Sequence, residues 1–78
     1  MTIGNRVRDA RQRRFMTQDE LAERTGIRIV TISRIENDRV ESQPRLSTIR
    51  KIAEALNVSP GWLMFGETEE EFEGKEAA

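Results

Sequence analysis

The feature that most constrains the fold of this chain is the spacing of its apolar residues, which recur every three or four positions. The clearest run places one apolar stripe on a helix of about residues 46–56. That stripe consists of Leu46, Ile49, Ile52, Ala53 and Leu56. No segment shows the apolar and polar alternation that is typical of β-strands. The sequence therefore predicts an all-α fold.

The first two of five short helices are predicted from a stripe and a capping signal. The first spans about residues 3–14 and carries a narrow inner stripe. This stripe consists of Ile3, Val7, Ala10 and Arg11. The second begins at Thr17-Gln18-Asp19-Glu20, where the Thr17 hydroxyl and the Glu20 carboxylate can each accept from the other residue's amide. It ends near Thr25.

A tight turn separates the second predicted helix from the third. Gly26 suits the left-handed conformation that ends a helix, and Ile32 and Ile35 resume the helical pattern shortly afterwards. Asn37 and Asp38 tolerate the same conformation and are predicted to end the third helix. The polar segment that follows is predicted to be a loop.

A fifth helix is predicted at about residues 60–65, because Ser59 is a good N-cap and Pro60 fits the first helical position. Its apolar residues Trp62 and Leu63 are expected to face the core.

Charge divides the 78-residue chain into two parts. Residues 1–66 carry 12 Lys+Arg against 8 Asp+Glu, a net charge of +4, and 11 of those 12 basic residues are Arg. Residues 67–78 carry six Glu and one Lys, a net charge of −5. We therefore expect one folded domain over 1–66 and a disordered acidic tail over 67–78. A surface rich in Arg favours nucleic acid as a partner, although a merely solvated surface is the alternative.

The absence of both Cys and His excludes several classes of function. Disulfide frameworks, zinc fingers, thiol nucleophiles and imidazole acid–base chemistry all need one of these residues. No apolar run reaches the roughly 20 residues that span a bilayer, and the N-terminus does not read as a signal peptide. We expect a cytoplasmic protein that is not an enzyme, with no cofactor, metal or small-molecule ligand and no membrane association.

The motifs of residues 17–63 resemble the Cro/lambda-repressor-like helix-turn-helix family. The matching segments are Thr17-Gln18, Leu21-Ala22, Gly26, Ile32-Ser33, Ile35-Glu36-Asn37, the Leu46–Leu56 helix, Ser59 and Trp62-Leu63. The likeness covers roughly residues 3–66. It implies a five-helix DNA-binding domain in which helices two and three form the helix-turn-helix.

The outward face of helix three can be worked out from helical geometry alone. With Ile32 at the centre of the core face, Val30 and Arg34 lie about 160° away on either side. Ile29 lies at about +60°, which suits either the edge of the core or an exposed face, and Ser33 lies at about +100°. Val30 has its own alternatives, a lone exposed apolar residue or a protein-binding patch.

The resemblance assigns DNA base contacts to the outward face of helix three. The expected set is Arg28, Ile29, Val30, Ser33 and Arg34. Many members of the family carry Gln or Ser where this chain has Ile29 and Val30, so contacts with thymine methyl groups are expected here. Arg34 is expected to reach a guanine or a phosphate. Arg28 departs from the usual Ser or Thr cap, and its alternative is a tolerated surface residue.

The resemblance also implies phosphate contacts and one structural ion pair. The expected phosphate contacts are Gln18, Asn37, Arg39 and Arg45. Arg11 and Glu36 match a buried ion pair between helices one and three. Asp38 stands where the family commonly has Gly, which leaves the local geometry uncertain.

These expectations favour a sequence-specific regulator of transcription, a repressor, that binds a palindromic operator in double-stranded DNA as a homodimer. It would associate with the nucleoid when bound. Candidate dimer contacts are Leu46, Pro60, Leu63 and Phe65. The alternative is an antitoxin or adaptor whose acidic tail binds a protein partner, with DNA binding serving autoregulation.

Overall fold

A computed structural model of the chain describes residues 2–39 and 43–66, which form five helices. These are α1 (Ile3–Arg13), α2 (Gln18–Thr25), α3 (Ile29–Glu36), α4 (Leu46–Leu56) and α5 (Pro60–Phe65). The all-α prediction is confirmed, and α1 ends one residue before the predicted end. The acidic tail predicted at 67–78 lies outside the described residues, as do residues 40–42 of the predicted loop.

The structure contains the predicted helix starts and ends. Capping hydrogen bonds mark the starts of α2 and α5, and residues in the left-handed conformation follow α2 and α3. The Thr17 hydroxyl accepts from the Glu20 amide at 3.0 Å, and the Glu20 carboxylate accepts from the Thr17 amide at 2.8 Å. Gly26 ends α2 with a φ of 76°, and Asp38 follows α3 with a φ of 55°. The Ser59 hydroxyl caps α5 as expected. Each end satisfies backbone groups that a helix leaves unpaired.

The core is a single cluster of apolar side chains to which every helix contributes. Its members are Val7, Ala10, Met16, Leu21, Ile32, Ile35, Ile49, Ile52, Ala53, Leu56, Val58 and Leu63. Helix α3 packs against both α1 and α2, so its inner face is covered from two sides. Trp62, which was expected inside, is only half buried at the margin of the cluster. None of the described helices is long and apolar enough to cross a membrane.

Helix α1 crosses the last turn of α3 at very short range, and Gly4 makes this approach possible. A Cβ atom at Gly4 would overlap the carbonyl oxygen of Ile35 and would lie 2.9 Å from that of Glu36. Only a residue without a side chain fits there. The C-terminal end of α3 is therefore held closely against α1.

Candidate nucleic-acid interface

Three helices meet at one buried carboxylate at the end of α3. The Glu36 side chain is fully buried, and Arg11 of α1 donates to it from Nε at 2.6 Å and from Nη2 at 2.9 Å. Gln18, the first residue of α2, donates from Nε2 to Glu36 Oε1 at 3.0 Å. Buried charges persist in proteins when they are paired and hydrogen-bonded in this way. The carboxylate thus fixes α3 relative to both neighbours.

Arg11 extends this network to the turn before α2. Its Nη1 donates to the carbonyl oxygen of Met16 at 2.8 Å. The hydrogen bond with Glu36 raises the pKa of the Arg11 guanidinium, against the opposing effect of burial. Arg11 therefore stays cationic throughout the physiological pH range, and its hydrogen bond to Met16 ties the turn before α2 to the ion pair with Glu36.

The C-terminal end of α3 is also held from α1. Arg8 Nη2 donates to the Glu36 carbonyl oxygen at 3.3 Å and to Asn37 Oδ1 at 3.0 Å. Thr2 Oγ1 donates to Asp38 Oδ2 at 3.0 Å. Asp38, where a Gly is common in the family, thus adopts the left-handed conformation and uses its side chain to anchor the first residues of the domain.

The outward face of α3 is apolar and cationic. Ile29 is 42% exposed and Val30 is 45% exposed, and Arg34 is exposed as well. Ile29 lies outside the core cluster, so the exposed alternative holds for that residue. A ridge of this kind differs from an ordinary solvated helix face, which carries Glu and Lys in place of large apolar side chains.

The first turn of α3 carries no side-chain cap. Arg28 occupies the N-cap position in an extended conformation and makes no capping hydrogen bond. The first amides of the helix therefore lack the partner that a Ser or Thr would supply. The N-terminus of a helix with unpaired amides favours an anionic group.

The arginines divide into two groups according to their partners. Those of α1 and the turn after it are engaged within the domain, and these are Arg6, Arg8, Arg11, Arg13 and Arg14. Those expected at DNA make no side-chain hydrogen bond or ion pair within residues 2–39 and 43–66, and these are Arg28, Arg34, Arg39 and Arg45. All four are exposed. Arg24 and Arg50 are equally unengaged on other surfaces.

The two amide side chains of the predicted site, Gln18 and Asn37, already donate hydrogen bonds within the domain. We expected Gln18 to direct its amide at a phosphate, but this amide donates to Glu36. Asn37 Nδ2 donates to the Ser33 carbonyl oxygen at 2.9 Å. Asn37 Nδ2 also donates to the Ser33 hydroxyl at 3.4 Å. A side-chain NH₂ has two hydrogens, so Gln18 retains one for a further acceptor. Ser33 itself is half buried beside this contact.

The sequence analysis did not predict the structural roles of two arginines, Arg6 and Arg8. Arg6 is buried and donates to the carbonyl oxygens of Leu63 at 2.8 Å and Met64 at 3.0 Å, near the end of α5. The available signal was its position at the edge of the apolar stripe, about 40° beyond Ala10. The contacts of Arg8 had no comparable signal, because they depend on where α3 ends.

Comparison with known proteins agrees with this geometry. A sequence model of the helix-turn-helix family matches residues 7–63. The chain is 38% identical over 64 residues to the HTH-type transcriptional repressor RghR of Bacillus subtilis, which covers 82% of this chain and 47% of that protein. It is 35% identical over 68 residues to the immunity repressor protein of Bacillus phage phi105, covering 87% and 46% respectively. The chain thus spans about half the length of these relatives.

A solved structure shows the same fold. The P22 c2 repressor protein, in complex with synthetic operator 9T, superimposes with a TM-score of 0.77 at 28% identity, covering 86% of this chain and 98% of that one. The family consists of transcriptional regulators and not of enzymes. The family match, the repressor relatives and the shared five-helix architecture lead to one conclusion: the chain belongs to the Cro/lambda-repressor-like helix-turn-helix family.

Proposed function

We propose that this chain is a DNA-binding repressor of transcription that places α3 in the major groove and binds a palindromic operator as a homodimer. The observation that carries this function is the exposed ridge of Ile29, Val30 and Arg34, on a helix that α1 and α2 hold in place. The repressor relatives and the operator complex of the P22 protein support it.

Base recognition would come from the outward face of α3. Ile29 and Val30 present methyl groups, which in a major groove match the methyl group of thymine. Arg34 presents five donors in a planar fork that suits the O6 and N7 atoms of guanine. Arg28 and Ser33 flank these residues and are the remaining proposed base contacts. This chain would therefore read bases by apolar and cationic contacts more than by amides.

Phosphate contacts would set the position of α3 in the groove. Arg39 and Arg45 are exposed cations without partners in the described part of the chain, so both are available to the DNA backbone. Gln18 would contribute its remaining amide hydrogen, and Asn37 would contribute its exposed side-chain amide. Because Gln18 also binds Glu36, its phosphate contact would tie the DNA backbone to the network that positions α3.

Selection of binding sites from random duplexes tests this function. The parent protein should enrich an inverted repeat whose half-sites lie about one helical turn apart, roughly 34 Å. Val30→Ala and Arg34→Ala should each relax the preference at one base pair per half-site by about 1–3 kcal/mol. Neither residue is part of the core, so both variants should fold normally.

Arg24→Ala is the matched control, because Arg24 is also an exposed, unengaged arginine but lies at the end of α2 remote from Gln18. It should leave the selected sequence unchanged. Selection that enriches no sequence, or that gives the same preferences for Arg34→Ala as for the parent, would contradict recognition by α3.

A further inference from the structure

The C-terminal end of α3 exposes two neighbouring arginines. Arg34 lies in the last turn of the helix, and the amide of Arg39 donates to its carbonyl oxygen at 2.8 Å, so the two residues lie close together. Neither side chain forms an ion pair or a hydrogen bond within the part of the chain that the structure describes. The acidic residues between them are engaged elsewhere, because Glu36 is buried in its ion pair and Asp38 accepts from Thr2. The two arginines, which we call the α3-end pair, therefore keep their full positive charge.

An acidic segment of the same chain follows the domain. Residues 67–78 carry six Glu and one Lys, a net charge of −5 against the +4 of residues 1–66. Four of these carboxylates are close in sequence and form what we call the glutamate cluster, which consists of Glu69, Glu70, Glu71 and Glu73. Exposed ion pairs are individually weak, but a short covalent link raises the effective concentration of a segment at its own domain to about the millimolar range. The glutamate cluster is thus an anionic partner present at high local concentration.

The described residues place the start of this segment within reach of the α3-end pair. A Cβ atom at Gly66 would lie 3.1 Å from Nη1 of Arg6 on α1. Two residues earlier on α1, Gly4 meets the carbonyl oxygen of Ile35 in the last turn of α3. The path from Gly66 through α1 to α3 is therefore no longer than about 25 Å. An extended chain covers that distance in about seven residues, so the glutamate cluster, which ends seven residues after Gly66, can reach the α3-end pair.

We infer that the glutamate cluster binds Arg34 and Arg39 in the free protein and that DNA displaces it. The planar guanidinium group binds carboxylates and phosphates through the same donors, so the two anions compete for each arginine. Both arginines are proposed above as DNA contacts, and the displacement rests on that proposed function. The acidic segment is then an internal competitor of DNA. The apparent affinity for DNA falls in proportion to the fraction of molecules in which the α3-end pair is free.

Cross-linking of the full chain without DNA tests the contact directly. A carbodiimide joins a lysine amine to a carboxylate that touches it, so Arg34→Lys and Arg39→Lys each place a reactive amine at the proposed contact. Arg24→Lys is the matched control, because Arg24 is an equally exposed and unengaged arginine near the end of α2. Mass spectrometry of the digested monomer should show bonds to the glutamate cluster at least about fivefold more often in the first two variants than in the control.

Two results would overturn the contact. One is that the control variant gives as much of the cross-linked product as the other two variants. The other is that the bonds join only separate chains, because the occupant of the α3-end pair is then the acidic segment of a second copy. A contact within one molecule should instead give a yield that is independent of protein concentration and that falls as salt screens the exposed charges.

The affinity for DNA tests the competition. The probe is a fluorescent duplex that carries one half-site from the selection described above. The double variant Glu70→Gln with Glu71→Gln removes two negative charges from the glutamate cluster, and Glu54→Lys shifts the net charge equally on the exposed side of α4. At low salt the double variant should bind about threefold to tenfold more tightly than Glu54→Lys, and the difference should shrink as salt is raised. Equal affinities of the two variants at low salt would overturn the competition.

The two experiments separate this inference from the proposed function. Cross-links to the glutamate cluster without any binding of the duplex would support the contact and contradict DNA recognition by α3. Binding of the duplex without such cross-links would overturn the contact and leave the proposed function standing.

Discussion

Gly4 shows how a single residue sets the distance between two helices. It lies in the first turn of α1, where helix propensity alone favours Ala over Gly by about 1 kcal/mol in a helix interior. The carbonyl oxygens of Ile35 and Glu36 occupy the space that a Cβ atom would need. Both oxygens belong to the backbone, so neither can move aside without shifting α3.

Gly4→Ala should therefore destabilise the domain, against the direction that helix propensity predicts. We expect the free energy of unfolding to fall by about 1–3 kcal/mol, the usual cost of overpacking. Urea denaturation followed by circular dichroism measures this difference.

Gly61→Ala is the matched control, because a Cβ atom at Gly61 would meet only the Ser59 hydroxyl at an ordinary 3.5 Å. That variant should be neutral or slightly more stable. Equal stability of Gly4→Ala and the parent would show that α1 and α3 can separate at no cost.

Residues whose role depends on their sequence neighbours were predictable. Residues whose role depends on contacts between distant parts of the chain were not. Thr17 and Glu20 specify a helix start because both halves of the capping box lie within four positions. Gly4 carries no such signal, because its constraint comes from α3. Phe15 is similar: it adopts a φ of 53° and is 93% exposed, and nothing in its neighbourhood within the sequence indicates either property.

At the scale of elements, the ion pair between Arg11 and Glu36 joins α1 to α3. Arg11→Ala would leave a fully buried carboxylate with the Gln18 amide and the half-exposed Arg8, whose Nε lies 3.7 Å from Glu36 Oε1, as its remaining polar neighbours. Removing one partner of a buried pair costs about 3–5 kcal/mol, which is a large part of the stability of so small a domain. We expect Arg11→Ala to be largely unfolded at 37 °C in thermal denaturation.

Arg24→Ala again provides the comparison, since Arg24 is exposed and its side chain makes no hydrogen bond or ion pair within the described residues. Its melting temperature should match that of the parent. The double variant Arg11→Met with Glu36→Leu should regain much of the lost stability, because it removes both buried charges together. If Arg11→Ala melts like the parent, the pair contributes nothing to joining the helices.

The helices themselves and the outward face of α3 were predictable, because helical periodicity is a local property. Val30 and Arg34 could be placed from Ile32 by angle alone. The contact between Gln18 and Glu36 could not be deduced in this way, because it depends on how α2 and α3 pack. The half-buried position of Trp62 has the same origin, since periodicity indicates which side of a helix faces inward but not how completely a neighbour covers it.

At the scale of the whole molecule, the proposed DNA binding should depend on salt concentration, because the part expected to bind is positively charged. The part over residues 1–66 has a net charge of +4 although the chain as a whole has −1. Each phosphate that a cation neutralises releases counterions, which steepens the dependence of affinity on salt concentration. Arg39 is proposed to make one such contact.

Arg39→Ala should weaken DNA binding to a similar extent for every sequence. The slope of log affinity against log salt concentration should become shallower by about 1 for each phosphate that the variant no longer neutralises. Fluorescence anisotropy titrations at several salt concentrations measure this slope. Arg34→Ala, titrated in parallel, should discriminate less between operator and unrelated DNA. If the two variants behave identically, the assignment of Arg39 to a phosphate and of Arg34 to a base is wrong.

The junction at Glu36 has a consequence for how such a protein can change its target. Arg11, Gln18 and Glu36 hold α3 through its inner side and its end, whereas the ridge of Ile29, Val30 and Arg34 lies outside both these contacts and the core cluster. Substitutions at Ile29, Val30 or Arg34 can therefore accumulate without loss of the native state. Under the proposed function, new operator preferences would evolve on an unchanged scaffold, in steps as small as one codon.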